Sequence, residues 1–260
     1  LEGTAAEVFA LVALADKLDT LTGYLGIGVT PSGSSDPYGL RRAGQGAVRI
    51  LLDFWKGEAP DLDAVAADLH RLYGPSLTRS TAELKTALSA FLTERLRGVL
   101  YGRGDGQPDE IEAVMSARVH PLADVRATSA RLDALATVRE EQPEVFAALA
   151  EAFKRAKNIV GEGVAIAVDE KFFTEPTERQ LFAALQRGEA TPPSDPVARL
   201  RAVAALRDDV DAFFKNVMVN AEDPMVRANR HAVLHRLLDL VYEIADLSKL
   251  ASPAGDRATS

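Results

Sequence analysis

Two carboxylates near the start of the chain are the first candidates for chemistry. Asp16 and Asp19 lie three residues apart, so they project from neighbouring positions of a helix. At about 100° per residue, Asp19 falls inside the apolar stripe of this helix and Asp16 falls at its edge. A carboxylate on a buried face needs a partner, or its pKa must rise. The pair could hold a metal or a phosphate, or it could form ion pairs with Lys17, Arg41 or Arg42 that fix the following loop. The second interpretation is favoured, because buried charges are usually paired. The stripe comprises Val8, Leu11, Val12, Ala15 and Leu18.

A polar, glycine-containing loop follows this helix. Gly23, Gly26 and Gly28 predict a turn, since glycine adopts positive φ angles at little cost. Asp36 or Ser35 is then expected to cap the next helix. A phosphate-binding loop is not indicated, because such loops lead from a strand into a helix whereas this one leaves a helix. The candidate residues of the whole motif are Asp16, Lys17, Asp19, Ser34, Asp36, Arg41 and Arg42.

The composition excludes several kinds of site. The 260 residues include no cysteine, so disulfides and thiolate metal sites are excluded and a reducing cytoplasm is expected. A net charge of −8 argues against broad, nonspecific nucleic-acid binding, and any RNA contact must use local basic clusters. Nucleophile sets of the Ser-His-Asp or Cys-His type have no support. No apolar run is long enough for a membrane span, and no signal peptide opens the chain. Because the first residue is Leu1 rather than methionine, we expect a piece of a longer protein.

Helical periodicity extends over nearly the whole chain and predicts an all-α protein. The glycine-rich stretch 102–108 is the clearest break. We therefore expect one domain over residues 1–105 and another over residues 106–260, with a core at 143–250. Residues 195–219 predict one long helix, and the last helix is expected to run from 224 to 250. Residues 161–167 could be extended, and residues 252–260 are expected to be disordered.

The first motif resembles a known family. The strings ADKLDTL (residues 15–21) and PSGSSDPYGLRRAG (residues 31–44) resemble ADKLDTL and PTGSxDPFALRRxAxG of the beta subunit of bacterial heterotetrameric glycyl-tRNA synthetase. The departures are Ser32 for Thr, Tyr38 for Phe and Gly39 for Ala. This part of the family resembles HD phosphohydrolases, in which the aspartate matched by Asp16 joins a His and a His-Asp pair on a metal. None of the four histidines here is followed by aspartate, so the resemblance implies no metal site in this chain.

The downstream half carries a second resemblance. The strings AFKRAKNI (152–159), FFKNVMV (213–219), DPMVRANR (223–230) and ADLSKL (245–250) resemble the helical DALR-type anticodon-binding domain, which arginyl-tRNA synthetases share. In the second string Lys215 replaces the usual acidic residue. The resemblance implies recognition of tRNA-Gly, and the candidate contacts are Lys154, Arg155, Lys157, Asn158, Lys215, Asn216, Arg227, Arg230 and Arg236.

Two of these cations differ from the rest because they lie on apolar stripes. Lys157 shares the stripe of one helix and Arg230 that of the last helix. Each could form a buried ion pair with an aspartate such as Asp211 or Asp223, or could stand at the rim of an RNA-binding face. By the same periodicity Lys154, Arg155, Lys215, Arg227 and Arg236 are expected to be exposed.

The family resemblance also implies partners and a division of labour. The alpha subunit activates glycine with ATP and Mg, while the beta subunit is needed for tRNA and for assembly of the heterotetramer. We therefore expect no catalytic residue and no cofactor in this chain, a cytoplasmic location, and no membrane contact. The first unit would be the C-terminal part of an HD-like helical domain. Two alternatives stay open: a metal-dependent phosphohydrolase that uses Asp16, and a purely structural module for subunit assembly.

Overall fold

The computed structural model describes residues 3–31, 36–161, 167–190 and 195–251. These residues form α-helices, short 3₁₀ turns and a π-helical turn, with no strand among them. The prediction of an all-α protein is thus confirmed. Residues 162–166 of the segment considered as extended, and the whole tail 252–260, lie outside the described residues.

The chain divides into two compact units. Residues 1–105 and 120–129 form the first, and residues 106–119 and 130–260 form the second. The first unit contains α1 (Thr4–Gly26), α2 (Leu40–Arg49), α3 (Leu62–Tyr73) and α4 (Thr81–Arg103). A π-helical turn, Ile50–Phe54, extends α2, so the hydrogen-bond register of this helix changes near its end.

Two helices of the first unit begin at caps that the sequence encodes locally. Ser80 and Glu83 form a capping box at the start of α4, with Ser80 N donating to the Glu83 carboxylate at 2.8 Å. Asp61 caps α3 by accepting from Ala64 N at 2.9 Å. α4 then buries one leucine every turn, and its packing against α1, α2 and α3 makes this helix the centre of the unit.

The buried face of α1 is not the one that the sequence predicted. Val8, Leu11 and Val12 are more than half exposed. The core of the unit is instead lined by Ala10, Leu14, Leu18, Leu21 and Leu25. Residues 8–15 of α1 are apolar on every side, so periodicity alone does not single out the face that packs on α2 and α4.

The second unit contains seven helices among its described residues. α5 is Pro108–Met115, and α6 (Val125–Glu141) begins in the 120–129 segment and continues into this unit. They are followed by α7 (Pro143–Val160), α8 (Pro176–Ala190), α9 (Pro196–Ala204), α10 (Arg207–Asn216) and α11 (Pro224–Tyr242). α7 packs against α10 and α11, and α8 packs against the same two helices, around buried Phe146, Phe153 and Phe213.

Two predicted helix boundaries in this unit are wrong. The expected helix 195–219 is broken between Ala204 and Arg207, because α9 packs on α7 and α11 while α10 packs on α7 and α8. The last helix ends at Tyr242 rather than near residue 250. The chain leaves the helical path before Asp246. The Asp246 N–H donates to the Ala113 carbonyl at 2.8 Å, and its carboxylate caps the 3₁₀ turn Leu247–Lys249.

Candidate nucleic-acid interface

The outer face of α7 carries three of the candidate contacts. Buried Phe146, Leu149 and Phe153 fix the inner face of this helix, which turns Lys154, Arg155 and Asn158 outward. All three are exposed, as the sequence predicts for the two cations. Lys154 has no ion pair among the described residues.

Arg155 and Asn158 belong to a shallow pocket of the second unit. The guanidinium of Arg155 lies 4.6 Å from the ring centroid of Phe214 on α10, so a cation–π contact orients it. The pocket has a volume of about 440 Å³. It is lined by Glu151, Lys154, Arg155, Asn158, Ile159 and Asn220.

Lys157 is held by a carboxylate within the second unit. Its Nζ lies 2.6 Å from Oδ2 of buried Asp246, the residue that ends the α11 region. The hydrogen bond to Asp246 outweighs the effect of burial and raises the pKa of Lys157 above its ordinary value. The other oxygen of Asp246 accepts from Ser248. The ion-pair interpretation is therefore confirmed, but neither Asp211 nor Asp223 is the partner that the sequence suggested.

Arg230 forms the most deeply buried ion pair of the described residues. Its Nε lies 2.8 Å from Oε1 of fully buried Glu178 on α8. Nη2 of the same guanidinium donates to the Thr174 hydroxyl, and Nη1 donates to the Met218 carbonyl, each at 2.7 Å. Burial opposes ionisation of Glu178, but hydrogen bonds from Arg230, Glu175 N and Thr174 N hold its pKa below the ordinary value. The structural interpretation of Arg230 is thus confirmed, with Glu178 in place of the suggested aspartates.

The suggested aspartates have other roles. Asp223 is the N-cap of α11, because its carboxylate accepts from Met225 N and Val226 N. Asp211 lies 3.6 Å from Arg207 one turn away on α10. Both interactions are local in sequence, whereas the partners of Lys157 and Arg230 lie far away along the chain.

The residues around the end of α10 stay largely open to solvent. Lys215, Asn216 and Arg227 are exposed. The Asn216 amide donates to the Ala212 carbonyl, and Arg227 donates to the Ala221 carbonyl at 3.0 Å. Lys215 has no ion pair within the parts of the chain that the structure describes.

Arg236 is not the exposed cation that the sequence predicted. It is half-buried, its Nε lies 2.8 Å from Oε1 of Glu189, and its guanidinium lies over the Phe182 ring. A cation that is stacked and paired in this way has few donors left for a phosphate. Its position on α11 faces α8 rather than solvent, which is why Glu189 can reach it.

The upstream carboxylates lie on the exposed side of α1, so their predicted burial is wrong. Asp16 is 3.9 Å from Lys17, and its side chain is 74% exposed. Asp19 accepts a hydrogen bond from the Tyr73 hydroxyl at 3.0 Å. Burial, with smaller contributions from Asp19, raises the pKa of Tyr73. Among the described residues no group of three His, Cys, Asp or Glu side chains could hold a metal ion.

The predicted glycine turn is mostly helix. Gly23 and Gly26 lie inside α1, and of the three glycines only Gly28 has a positive φ, of 84°. A Cβ on Gly23 would lie 2.9 Å from the Tyr73 hydroxyl, and one on Gly26 would lie 2.7 Å from Leu77. These two glycines therefore allow close packing, and Gly26 O ends the helix by accepting from Thr78 N and Arg79 N.

Asp36 caps α2 from a distance of four residues. Its two carboxylate oxygens accept from Leu40 N at 2.7 Å and from Arg41 N at 3.0 Å. The residue at the N-cap position itself is Gly39, with a φ of 68°. Capping by Asp36 is confirmed, although the helix starts later than predicted. Arg42 is exposed, Arg41 is half-buried, and Ser34 and Ser35 lie outside the described residues.

Known proteins are similar to this chain over most of its length. The family model described as glycyl-tRNA synthetase beta subunit matches residues 3–116. A glycine–tRNA ligase beta subunit from Delftia acidovorans is 39% identical over 250 residues, covering 93% of this chain and 34% of that protein. Beta subunits from Geobacter metallireducens and Acidovorax ebreus are 38% and 40% identical, over 95% and 94% of this chain and 36% and 33% of theirs. The chain belongs to the glycyl-tRNA synthetase beta-subunit family. It spans about a third of the length of these relatives.

The match to the beta-subunit family model includes the polar loop after α1. The pocket of the second unit is lined in part by Asn220, which belongs to none of the sequence motifs considered. Asn220 follows directly after the string at 213–219, in the loop between α10 and α11. The sequence signal that could have pointed to Asn220 is its position as a polar residue between buried Val219 and Asp223, the N-cap of α11. Glu178 was missed as well, although an acid in the first turn after Pro176 is typical of a helix start.

None of the described helices is long and apolar enough to cross a membrane.

Proposed function

We propose that the second unit binds tRNA-Gly as part of a glycine–tRNA ligase beta subunit. The observation that carries this proposal is the pair Lys154 and Arg155, two adjacent exposed cations beside a pocket lined by amide side chains. Cations that are unpaired in the free protein keep their full charge for phosphates. Lys215 and Arg227 add two further exposed cations to the same unit.

In this proposal the second unit acts as a DALR-type anticodon-binding domain. The first unit corresponds to the C-terminal part of an HD-like helical domain. ATP- and Mg-dependent activation of glycine takes place in the alpha subunit of a cytoplasmic heterotetramer, and this chain contributes tRNA contacts. The net charge of −8 repels RNA at long range, so the affinity has to come from short-range contacts.

The test is the salt dependence of tRNA-Gly binding for single alanine variants. Each phosphate contact contributes about −0.7 to the log–log slope for single-stranded RNA. Lys154→Ala and Arg155→Ala should therefore weaken binding and flatten the slope by about one contact each, with unchanged melting temperatures. Arg187→Ala is the matched control, since Arg187 is an exposed cation on α8 without an ion pair among the described residues.

Two further variants separate binding from stability. Lys157→Ala and Arg230→Ala remove partners of Asp246 and Glu178, so they should lower the melting temperature in addition to any loss of affinity. If Lys154→Ala and Arg155→Ala both leave affinity and slope unchanged, α7 is not an RNA-binding face and the proposal is wrong.

A second function, subunit assembly, is favoured by the exposed apolar side of α1. Val8, Phe9, Leu11 and Val12 are each more than half exposed, which is unusual for four neighbouring apolar residues of a helix. We propose that this side of the first unit packs against protein in the heterotetramer. Phe9→Ser with Val12→Ser should then weaken co-purification with the alpha subunit, without changing tRNA affinity. Leu72→Ser is the control, because Leu72 is an exposed leucine on α3. Equal recovery of the alpha subunit by all three proteins would exclude this role.

A further inference from the structure

A pocket of the first unit combines an apolar wall with charged groups of both signs. It lies between the start of α3, the middle of α4 and the segment 120–123, and its volume is about 430 Å³. The apolar wall includes Leu62, Leu88, Leu92 and Leu122. The polar side chains that line both this pocket and an adjoining cavity of about 570 Å³ are Asp63, Lys85, Ser89 and His120. Volumes of this size are in the range of small-molecule sites.

The two charges that face this pocket, Lys85 and Asp63, do not pair with each other. Among the described residues, neither side chain has an ion-pair or hydrogen-bond partner. Lys85 is half-buried, so its ammonium loses part of its hydration without gaining a carboxylate. The other two carboxylates along these cavities are occupied, because Asp61 caps α3 and Glu94 is paired with Arg97. A ligand that carries one negative and one positive charge therefore complements both sides of the pocket.

Ser89 is held so that its hydroxyl hydrogen faces a ligand. Leu122 N donates to Nδ1 of His120 at 3.2 Å, so the ring hydrogen is on Nε2, which lies 3.2 Å from the Ser89 Oγ and donates to it. The Ser89 oxygen is thus an acceptor, and its own hydrogen has no acceptor among the described residues. Ser89 follows Lys85 by one turn of α4, so an ammonium and a hydroxyl donor are neighbours on one face. Two such donors suit a carboxylate.

We propose that this pocket binds a free α-amino acid with an apolar side chain. The ligand carboxylate contacts Lys85 and Ser89, its ammonium contacts Asp63, and its side chain packs against the leucines of the wall. A plain anion is repelled by Asp63, and a plain cation is repelled by Lys85, so the charge pattern selects a zwitterion. The inference does not depend on the proposed tRNA binding, because every residue of this pocket belongs to the first unit.

The experiment is an NMR chemical-shift titration of the 260-residue chain, with the amide signals of Ser89 and Leu122 as reporters of the pocket. The probes are L-leucine, glycine, N-acetyl-L-leucine and L-leucinamide. L-leucine should bind with a dissociation constant of about 0.1–1 mM, as expected for a small ligand in an open pocket. Glycine lacks the apolar side chain, N-acetyl-L-leucine lacks the ammonium, and L-leucinamide lacks the carboxylate. Each of these three should therefore bind about tenfold more weakly or worse.

Two variants test which charge meets which end of the ligand. Lys85→Met keeps the apolar stem and removes the charge, so it should weaken L-leucine about tenfold and leave L-leucinamide unchanged. Asp63→Asn should weaken L-leucine and L-leucinamide about tenfold each and leave N-acetyl-L-leucine unchanged. A general loss of structure would not produce this crossed pattern.

Two matched variants act as controls within the same unit. Lys56→Met removes an exposed lysine that lines a different pocket, and Asp16→Asn removes an exposed aspartate of α1. Both should bind L-leucine like the wild type. The melting temperatures of all four variants without ligand should equal that of the wild type, because each replaces a surface or half-buried polar group by a side chain of similar size.

Three outcomes overturn the inference. The first is the absence of saturable shifts at the reporter amides with L-leucine up to about 10 mM, well above the expected dissociation constant. The second is equal affinity of the wild-type chain for all four probes, which would indicate weak contact without recognition of the zwitterion. The third is that Lys85→Met and Asp63→Asn bind every probe as the controls do.

Discussion

At the residue scale, the charged side chains of the second unit fall into two groups. Arg230, Lys157 and Arg236 are committed to Glu178, Asp246 and Glu189 respectively. Other cations, such as Lys154 and Arg155, have no carboxylate partner among the described residues. The cations of the first group hold helices together, and those of the second group can contact a ligand. Substitution in the first group should therefore lower stability, whereas substitution in the second group should leave stability unchanged.

The Glu178–Arg230 pair gives the clearest test of the first group. Glu178→Ala leaves a buried guanidinium without its carboxylate, and we expect a loss of roughly 3–5 kcal/mol in the free energy of unfolding. Asp68→Ala breaks the exposed pair with Arg71 and should change stability by less than about 0.5 kcal/mol. Urea denaturation of the two variants measures both values. Similar midpoints would mean that the buried pair contributes no more than a surface pair.

Asp19 should contribute less to the free energy of unfolding than the buried ion pair expected from the sequence would contribute. A buried ion pair there would make Asp19→Ala cost roughly 3–5 kcal/mol. The structure shows an exposed carboxylate that accepts from the Tyr73 hydroxyl, so we expect a loss of at most about 1 kcal/mol. Tyr73→Phe removes the same hydrogen bond and should give a similar value. A large loss in the denaturation curve of Asp19→Ala alone would point to an interaction that this hydrogen bond does not explain.

At the scale of elements, glycines set the distance between helices of the first unit. Gly44 on α2 lies against α4, where a Cβ would be 2.8 Å from both Phe91 and Arg95. The Arg95 guanidinium stacks over Phe91, so the two side chains fill this site together. The close approach of α2 and α4 therefore depends on the absence of a side chain at residue 44.

Substitution of two glycines by alanine should have opposite effects. Gly44→Ala forces a methyl group into a filled site and should destabilise by about 1–3 kcal/mol. Gly98→Ala on the exposed side of α4 meets no atom within 4 Å and should stabilise by roughly 0.5–1 kcal/mol through helix propensity. Thermal unfolding of the two variants provides the comparison. Stabilisation by Gly44→Ala would show that α2 and α4 can move apart at no cost.

At the scale of the whole molecule, low pH should destabilise the fold because it protonates a few carboxylates whose pKa values are lower than their ordinary values in the folded chain. Hydrogen bonds from Arg230 outweigh the burial of Glu178, and those from Arg139 and Ala251 N outweigh the burial of Asp109. A folded-state pKa below the unfolded value contributes stability at higher pH, and this contribution is lost as the pH falls through the folded pKa. At the alkaline end the sign is reversed for Lys157, whose raised pKa contributes stability that is lost as the pH rises through it.

The free energy of unfolding should therefore decrease below about pH 4, near the ordinary pKa values of Asp and Glu. Glu178→Gln removes one of the responsible carboxylates, so its stability should depend less on pH than that of the wild type between about pH 5 and pH 2. Urea titrations at several pH values measure the slope for both proteins. Parallel curves would exclude Glu178 as a contributor to acid unfolding.

The sequence by itself determined the fold class, most helix starts and the exposure of several candidate cations. These properties depend on interactions over three or four residues. The Ser80–Glu83 box, the Asp223 cap and the repeated leucines of α4 each act within one turn or along one face. Lys154 and Arg155 follow the same rule, because their exposure is fixed by the buried Phe146 and Phe153 on the opposite face of α7.

The tertiary structure decided which faces pack, which charges pair and where a pocket forms. Residues 8–15 of α1 are apolar on every side, so the buried side of this segment depends on how α2 and α4 pack against it. Lys157 and Asp246 lie 89 residues apart, and Arg230 and Glu178 lie 52 apart, so periodicity along one helix could not pair them. Asn220 lines the same pocket as Asn158 of α7, and these two residues are also far apart in the sequence. Contacts between distant segments depend on the packing of whole helices, which short-range sequence patterns do not encode.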